Sequence, residues 1–285
     1  MENKRGLILE GGAMRGMFTA GVMDVLMENG IDFDGVIGVS AGAAFGCNYK
    51  SRQIGRVLRY NTRFCGDKRY SGLGVWLKTG NIYSTDFCYN EVPLMHDVFD
   101  FDTFEANPME FYVVCTDVET GQPVYHRYES RHDHGFDWIR ASASLPLAAR
   151  IVEIDGRKLL DGGISDSIPV KYFESLGYRK NIAVLTRPLG YEKRPNKLMP
   201  LARRVYRAYP NFVATMETRH LRYNETLAYI AQQEQFGALY VLRPETPIEV
   251  STIEKDPKAL QAAYTQGQTT AQTHLKEIQT YLEEM

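Results

Sequence analysis

Gly35-Val36-Ile37-Gly38-Val39-Ser40-Ala41-Gly42-Ala43-Ala44, residues 35–44, decides how the chain is read. Residues 35–39 form an apolar run of the kind expected for a strand buried on both faces. Residues 41–49 are rich in small side chains and continue as a helix. Between them, residues 38–42 have the form G-x-S-x-G, in which a serine stands on a tight strand-to-helix turn. A serine hydroxyl is a poor nucleophile unless it has a base and a place for developing negative charge. The positive end of the helix that follows favours such a charge. Gly38 and Gly42 leave space in the turn that a Cβ would crowd. Taken alone, the pentapeptide is equally a turn of small residues. The strand before it favours the nucleophile and makes Ser40 the candidate.

The same strand–turn–helix pattern stands immediately upstream. Residues 6–10 (Gly-Leu-Ile-Leu-Glu) predict a short buried strand. Residues 14–29 carry a helical period through Met17, Gly21 and Val25, and through Val22 and Leu26, with Gly30 at the C-terminal cap. Strand, helix, strand and helix at this spacing predict a parallel sheet covered by helices. The intervening loop, Gly11-Gly12-Ala13-Met14-Arg15-Gly16, gathers backbone N–H groups at a helix N-terminus, where they can converge on an oxyanion. A dinucleotide fingerprint is the competing reading. Ala13 occupies its middle glycine, and Asp32 and Asp34 precede the second strand instead of ending it, so nucleotide binding ranks below. Arg15 reads either as a loop anchor paired with a neighbouring acid or as a cation that steers an anionic head group.

Farther along, residues 60–110 are rich in aromatic residues, Gly, Asn and Asp, with short helical pieces at best. They fit a cap or an irregular insertion. Residues 110–118 predict a central strand, 138–144 a helix, and 181–186 another strand. Residues 151–154 and 158–160 flank Asp155-Gly156, a hairpin signal. The second arm of that hairpin delivers Asp161, followed by Gly162 and Gly163. Asp-Gly-Gly favours a turn whatever the function; its position at a strand end favours a role. A free aspartate, with a pKa near ~3.9, is a weak base at neutral pH, and burial with a hydrogen bond to the serine would make it usable.

The six histidines are His96, His126, His132, His134, His220 and His274. A Ser…Asp…His order would recruit His220 or His274. Neither lies in a glycine-flanked loop at a strand end, and both read as surface or packing residues. His132 and His134 lack further ligands at metal spacing, so neither a metal nor a cofactor is expected. Cys47, Cys65, Cys88 and Cys115 form no C-x-x-C pair and read as reduced, mostly buried thiols.

Lys and Arg number 33 against 35 Asp and Glu, a net charge of −2 that gives no support to a nucleic-acid binder. No stretch approaches the ~20 apolar residues that span a bilayer. The N-terminus runs directly into a strand instead of an apolar leader. The expectation is a cytoplasmic protein whose membrane contact, if any, is peripheral. Composition shifts beyond residue 190. Lys193, Arg194, Lys197, Arg203, Arg204 and Arg207 face only Glu192 across residues 192–210. Helices within 198–233 and 256–283 and a strand at 238–242 predict a helical extension over 191–285, packed on a unit spanning 5–190. With Tyr206 and Tyr209 interleaved, the basic stretch reads as a patch for anionic lipid surfaces or, preferably, as a solvated helix face packed by its aromatics.

The three motifs, in this order and with these flanking strands, resemble the patatin-like phospholipase family. The resemblance rests on Gly11–Gly16, Gly38-Val39-Ser40-Ala41-Gly42 and Asp161-Gly162-Gly163, and covers roughly residues 5–190. Residues 141–146 (Ala-Ser-Ala-Ser-Leu-Pro) and Ile154-Asp155-Gly156 also look like the family's approach to its aspartate. It implies a three-layer α/β/α sandwich with a mostly parallel central sheet. It also implies a lipid acyl hydrolase of phospholipase or carboxylesterase type, with a Ser–Asp dyad and an acyl-enzyme. Ser40 would be the nucleophile, Asp161 the base, and the amides of Gly11, Gly12 and Ala13 the oxyanion hole. Arg15, Gly16, Gly38, Gly42, Gly162 and Gly163 would support these motifs. Ala13 stands where the family commonly has a third glycine; a backbone amide survives that change, so the hole is expected to persist. Two other classes stay open: an acyltransferase using the same serine, and a nucleotide-binding protein using the 11–16 loop.

Overall fold

The computed structural model describes residues 4–283. Its centre is an eight-stranded sheet. The N-terminal run forms β1 (Lys4–Leu9), a single 3-10 turn over Ala13–Arg15, and α1 (Gly16–Glu28). The decisive stretch forms β2 (Gly35–Val39) and α2 (Ala41–Lys50). There follow α3 (Arg56–Phe64), α4 (Leu73–Thr79), a π-helical segment (Phe87–His96) and α5 (Phe101–Ala106). Next come β3 (Glu110–Asp117), β4 (Pro123–Arg127), α6 (Asp137–Ser142), β5 (Val152–Ile154) and β6 (Arg157–Asp161). The remainder is α7 (Val170–Ser175), β7 (Tyr178–Val184), α8 (Met199–Val205), α9 (Pro210–Gln235), β8 (Leu239–Leu242), α10 (Pro257–Thr273) and α11 (Leu275–Glu283).

β1, β2, β3, β7 and β8 run parallel, while β4 and the β5–β6 hairpin are antiparallel additions. Alternate residues of one strand enter different cores: Leu7 and Leu9 face one side, Ile8 the other. α1, α2 and α10 cover the first face; α7 and α9 cover the second through Phe173, Tyr223 and Ile230. This is the expected three-layer α/β/α arrangement. Burying a Leu or Ile of this kind stabilises the fold by about 1.5–3 kcal/mol.

The residues beyond 190 contribute to both the sheet and its cover. β8 extends the sheet beside β7. On the first face, the Asp24 carboxylate in α1 accepts the Tyr264 hydroxyl of α10 at 2.6 Å and the Gly55 amide at 2.9 Å.

The 60–110 region is more ordered than its composition suggests. It consists mostly of short helices held by aromatic packing, with Phe64, Tyr70 and Phe87 forming a separate small core. Such helices are too short to show a period in sequence. β4 and α7 also lack a sequence signal: β4 begins at a proline and is only half-buried.

The register around β3 positions the site. β2 ends at Val39, opposite Val114 of β3. β6 runs the other way and ends at Asp161, opposite Cys115. β4 already pairs with Tyr112–Thr116, so β6 must use the edge that β2 occupies. Two strands therefore meet end to end along one edge of β3, and the residue after β2 lies beside the last residue of β6.

Candidate active site

Ser40 follows β2 directly and is held at φ 55°, ψ −120°, at the N-terminus of α2. A left-handed φ is costly for any residue with a Cβ and persists only where the surroundings enforce it. Here the enforcement is close packing of backbone. A Cβ on Gly38 would stand 2.4 Å from the Gly42 carbonyl oxygen, and one on Gly42 would stand 2.4 Å from the Leu9 carbonyl oxygen. α2 is thereby seated against the ends of both β1 and β2. The Ser40 amide donates to the Ser142 hydroxyl at 2.8 Å, and that hydroxyl donates to the Val114 carbonyl at 2.6 Å.

The Ser40 hydroxyl donates to Asp161 Oδ2 at 2.7 Å. Asp161 Oδ1 accepts the Gly163 amide at 2.7 Å, which fixes the carboxylate plane. The backbone behind it is anchored too: the Asp161 amide donates to the Ser144 carbonyl at 2.9 Å, and Thr116 donates to the Asp161 carbonyl at 2.8 Å. Gly162 permits this approach, since a Cβ there would lie 2.1 Å from the Val114 carbonyl oxygen. Both side chains are buried, Ser40 at 7% and Asp161 at 2% exposure. Burial pushes the Asp161 carboxyl up from its ordinary value; the Ser40 hydrogen bond, the Arg219 charge and the Gly163 amide oppose the rise.

The glycine loop after β1 lies against this pair, and a Cβ on Gly11 would stand 3.3 Å from the Ser40 Cβ. The Gly11 amide makes a long bond of 3.4 Å to the Ser167 carbonyl, while among the described residues the amides of Gly12 and Ala13 donate to no acceptor. Ala13 has a φ of 48°, the left-handed conformation in which a glycine would be unstrained. Gly16 packs against Phe45 and Ala41 at the start of α1. On the α2 side of the loop is an apolar cavity of about 110 Å³, whose lining includes Ala13, Ser40, Phe45, Tyr89, Phe136 and Leu145.

Arg15 forms no ion pair within 4 Å among the described residues, and its Nε is buried without a hydrogen-bond partner. No histidine bonds to Ser40 or Asp161 among the described residues. His126 pairs with Asp133 and stacks on Trp138; His134 pairs with Asp155; His274 meets Tyr240 and Glu277. Two residues outside the three motifs also support the site. Ser142 positions the Ser40 amide, and Arg219 of α9 donates from Nε to the Gly163 carbonyl. Ser142 sits in the Ala-Ser-Ala-Ser-Leu-Pro stretch, but nothing local links Arg219 to Gly163.

The model of the patatin-like phospholipase family matches residues 7–174. The chain belongs to that family. The matched span contains the glycine loop, Ser40 and Asp161. A second family model, a domain of unknown function (DUF6363), matches residues 209–283 of this patatin-like chain. The uncharacterised protein YjjU of Escherichia coli K12 is 33% identical over 196 residues, 64% of this chain and 52% of that protein. Lysophospholipase nte1 of Aspergillus terreus is 31% identical over 179 residues, 60% of this chain and 11% of that protein. The chain thus spans about half of one relative and about a tenth of the other. Among solved structures, VipD from Legionella pneumophila aligns with a TM-score of 0.45 and 13% identity over 95% of this chain and 67% of that one. Among the described residues, no helix is long and apolar enough to cross a membrane.

Proposed function

We propose that this patatin-like protein hydrolyses acyl esters of lipids, with Ser40 as nucleophile and Asp161 as general base. The observation that carries the reading is the 2.7 Å hydrogen bond between two buried side chains, each at a strand end, beside amides that have no acceptor among the described residues. In the first step Ser40 Oγ attacks the ester carbonyl carbon while Asp161 Oδ2 takes the hydroxyl proton. The carbonyl oxygen becomes an oxyanion facing the amides of Gly12 and Ala13, with Gly11 shaping the loop behind them. Collapse of the tetrahedral intermediate expels the alcohol, which receives the proton from Asp161, and leaves Ser40 acylated. Water, deprotonated by the same carboxylate, then attacks the acyl group and frees the acid. The apolar cavity beside Ser40 would take the acyl chain.

Residues 5–190 form the catalytic unit in this proposal, and 191–285 an extension that completes its sheet and cover. Exposed Leu73, Leu77, Leu94 and Met95, on and around the cap helices, support peripheral contact with a lipid surface. The name of the lysophospholipase relative agrees with a lipid ester substrate. The test is hydrolysis of monoacyl lipid by the wild type and by Ser40→Ala. The variant is expected to fall to the uncatalysed rate; retained turnover would refute the assignment of Ser40.

A further inference from the structure

Outside the apolar cavity, four cations lie close enough to act on one another. Arg15 stands at the start of α1, Arg187 and Lys193 in the segment after β7, and Arg219 on α9. None of the four makes an ion pair within 4 Å among the described residues. All four are half-buried. Lys193 lies 4.2 Å above the Tyr223 ring and Arg187 lies 4.5 Å above Tyr191. The Lys193 backbone is pinned to α9 by a pair of hydrogen bonds with Asn224, at 2.8 and 3.0 Å.

Glu10 opposes the charges of Lys193 and Arg15, and its carboxylate is already in use. It accepts the Thr186 amide at 2.5 Å, the Thr186 hydroxyl at 3.1 Å and the Tyr223 hydroxyl at 2.6 Å. Asp161 lies at the other edge, bonded to Ser40, and Glu192 stands exposed on the rim. Burial, with Arg219, Arg15 and Arg187 adding to it and Glu10 opposing, pushes the Lys193 ammonium down to about 8. Burial and Arg187 likewise lower Arg15. These cations repel one another in a partly desolvated site, which is costly unless an anion neutralises them. Arg15 Nε and His220 Nδ1 are buried with no hydrogen-bond partner among the described residues. Lys193, Arg219 and His220 line a cleft of about 630 Å³ together with Tyr191 and Arg194.

We propose that this cleft binds a phosphate-type oxyanion, the phosphate mono- or diester group of a ligand or free phosphate. Guanidinium groups match phosphate oxygens in pairs, and a lysine adds a compact point charge. A phosphate also carries more charge and more acceptor oxygens than a single carboxylate, which suits a cleft lined by Lys193, Arg194 and Arg219, with the charges of Arg15 and Arg187 felt at Lys193. The position carries a consequence for the substrate. Arg219 bonds to Gly163, two residues from Asp161, and Arg15 is two residues beyond Ala13. The cleft shares no lining residue with the apolar cavity, so a phosphate held here belongs to the alcohol side of an ester whose acyl chain fills that cavity. This assignment to a substrate rests on the esterase reading; the anion site itself does not.

Two measurements on the full-length protein separate these parts. The first is calorimetric titration with inorganic phosphate of the wild type, Lys193→Gln and Arg194→Gln, two cations that line the cleft. Saturable binding is expected for the wild type and at least tenfold weaker binding in each variant. Two variants guard against one misfolding, and thermal melts report that directly. The second is the ratio of kcat/KM for an acylglycerol phosphate to that for the matching uncharged monoacylglycerol. A wild-type preference for the phosphate ester, reduced at least tenfold by Lys193→Gln, assigns the site to a substrate head group. Phosphate binding that depends on Lys193 with no such preference assigns it to free phosphate. No saturable phosphate binding to the wild type, with a substrate ratio unchanged by both variants, overturns the proposal. If neither ester is hydrolysed, the esterase reading fails and the phosphate titration still decides the site.

Discussion

Replacing Asp161 with asparagine is expected to lower kcat/KM for an acyl ester by about a thousandfold, the middle of the range for loss of a positioned general base. The amide keeps the size of the carboxylate, retains a partner for the Gly163 amide and leaves Ser40 hydrogen-bonded. What it loses is the capacity to take a proton. Stability is expected to move the other way. Burial raises the Asp161 pKa above its unfolded value. The ionised form therefore costs folding free energy at pH values above the folded pKa, and that cost is absent below the unfolded pKa. At neutral pH, Asp161→Asn should melt no lower than the wild type. Such a trade of stability for activity is common where a site holds a strained or desolvated group. The same shift sets the pH profile. The proposed base acts in its ionised form, so the acid limb of kcat/KM is expected above the ordinary carboxylate range near ~3.9. Wild-type kinetics in Asp161→Asn, or an acid limb at the ordinary value, would count against a base at this position.

Replacing Gly42 with valine is expected to destabilise the fold by roughly 2–3 kcal/mol, the usual cost of overpacking. That corresponds to a melting temperature several degrees lower for a chain of this size. The first added carbon meets the Leu9 carbonyl oxygen at 2.4 Å and the Glu10 carbonyl oxygen at 2.9 Å. Both are backbone atoms of a central strand end and cannot swing aside like a side chain. Relief requires α2 to move off β1, which separates Ser40 from the Gly12 and Ala13 amides. Activity should therefore fall further than stability alone explains, measured as kcat/KM at a temperature where the variant remains folded. A wild-type melt and wild-type kinetics would contradict this seating of α2.

Much of this molecule is written locally. β1, β2 and the helices after them were readable because apolar runs break sharply at glycines. The Asp155-Gly156 hairpin likewise announced the strand that carries Asp161. What local pattern does not contain is the register of β3. Only the pairing of Val39 with Val114 and of Asp161 with Cys115 explains why two distant motifs touch. For residues 60–110 the sequence shows only short helical pieces, because the helices there are stabilised by aromatic packing among Phe64, Tyr70 and Phe87 rather than by a helical period. Ser142 and Arg219 act through contacts with the backbone of residues far away in sequence. The basic stretch after residue 190 was visible, but its solvated-face reading does not hold for Lys193, which is half-buried against Tyr223.

The central claim is that Ser40 is a nucleophile activated by Asp161. Its most direct measurement is labelling of the intact protein with a fluorophosphonate, followed by peptide mass mapping. The label should appear on Ser40 in the wild type, and in Asp161→Asn its rate should fall by orders of magnitude. A protein that hydrolyses acyl esters yet carries the label on another residue, or labels at Ser40 equally fast without the Asp161 carboxylate, would contradict the account.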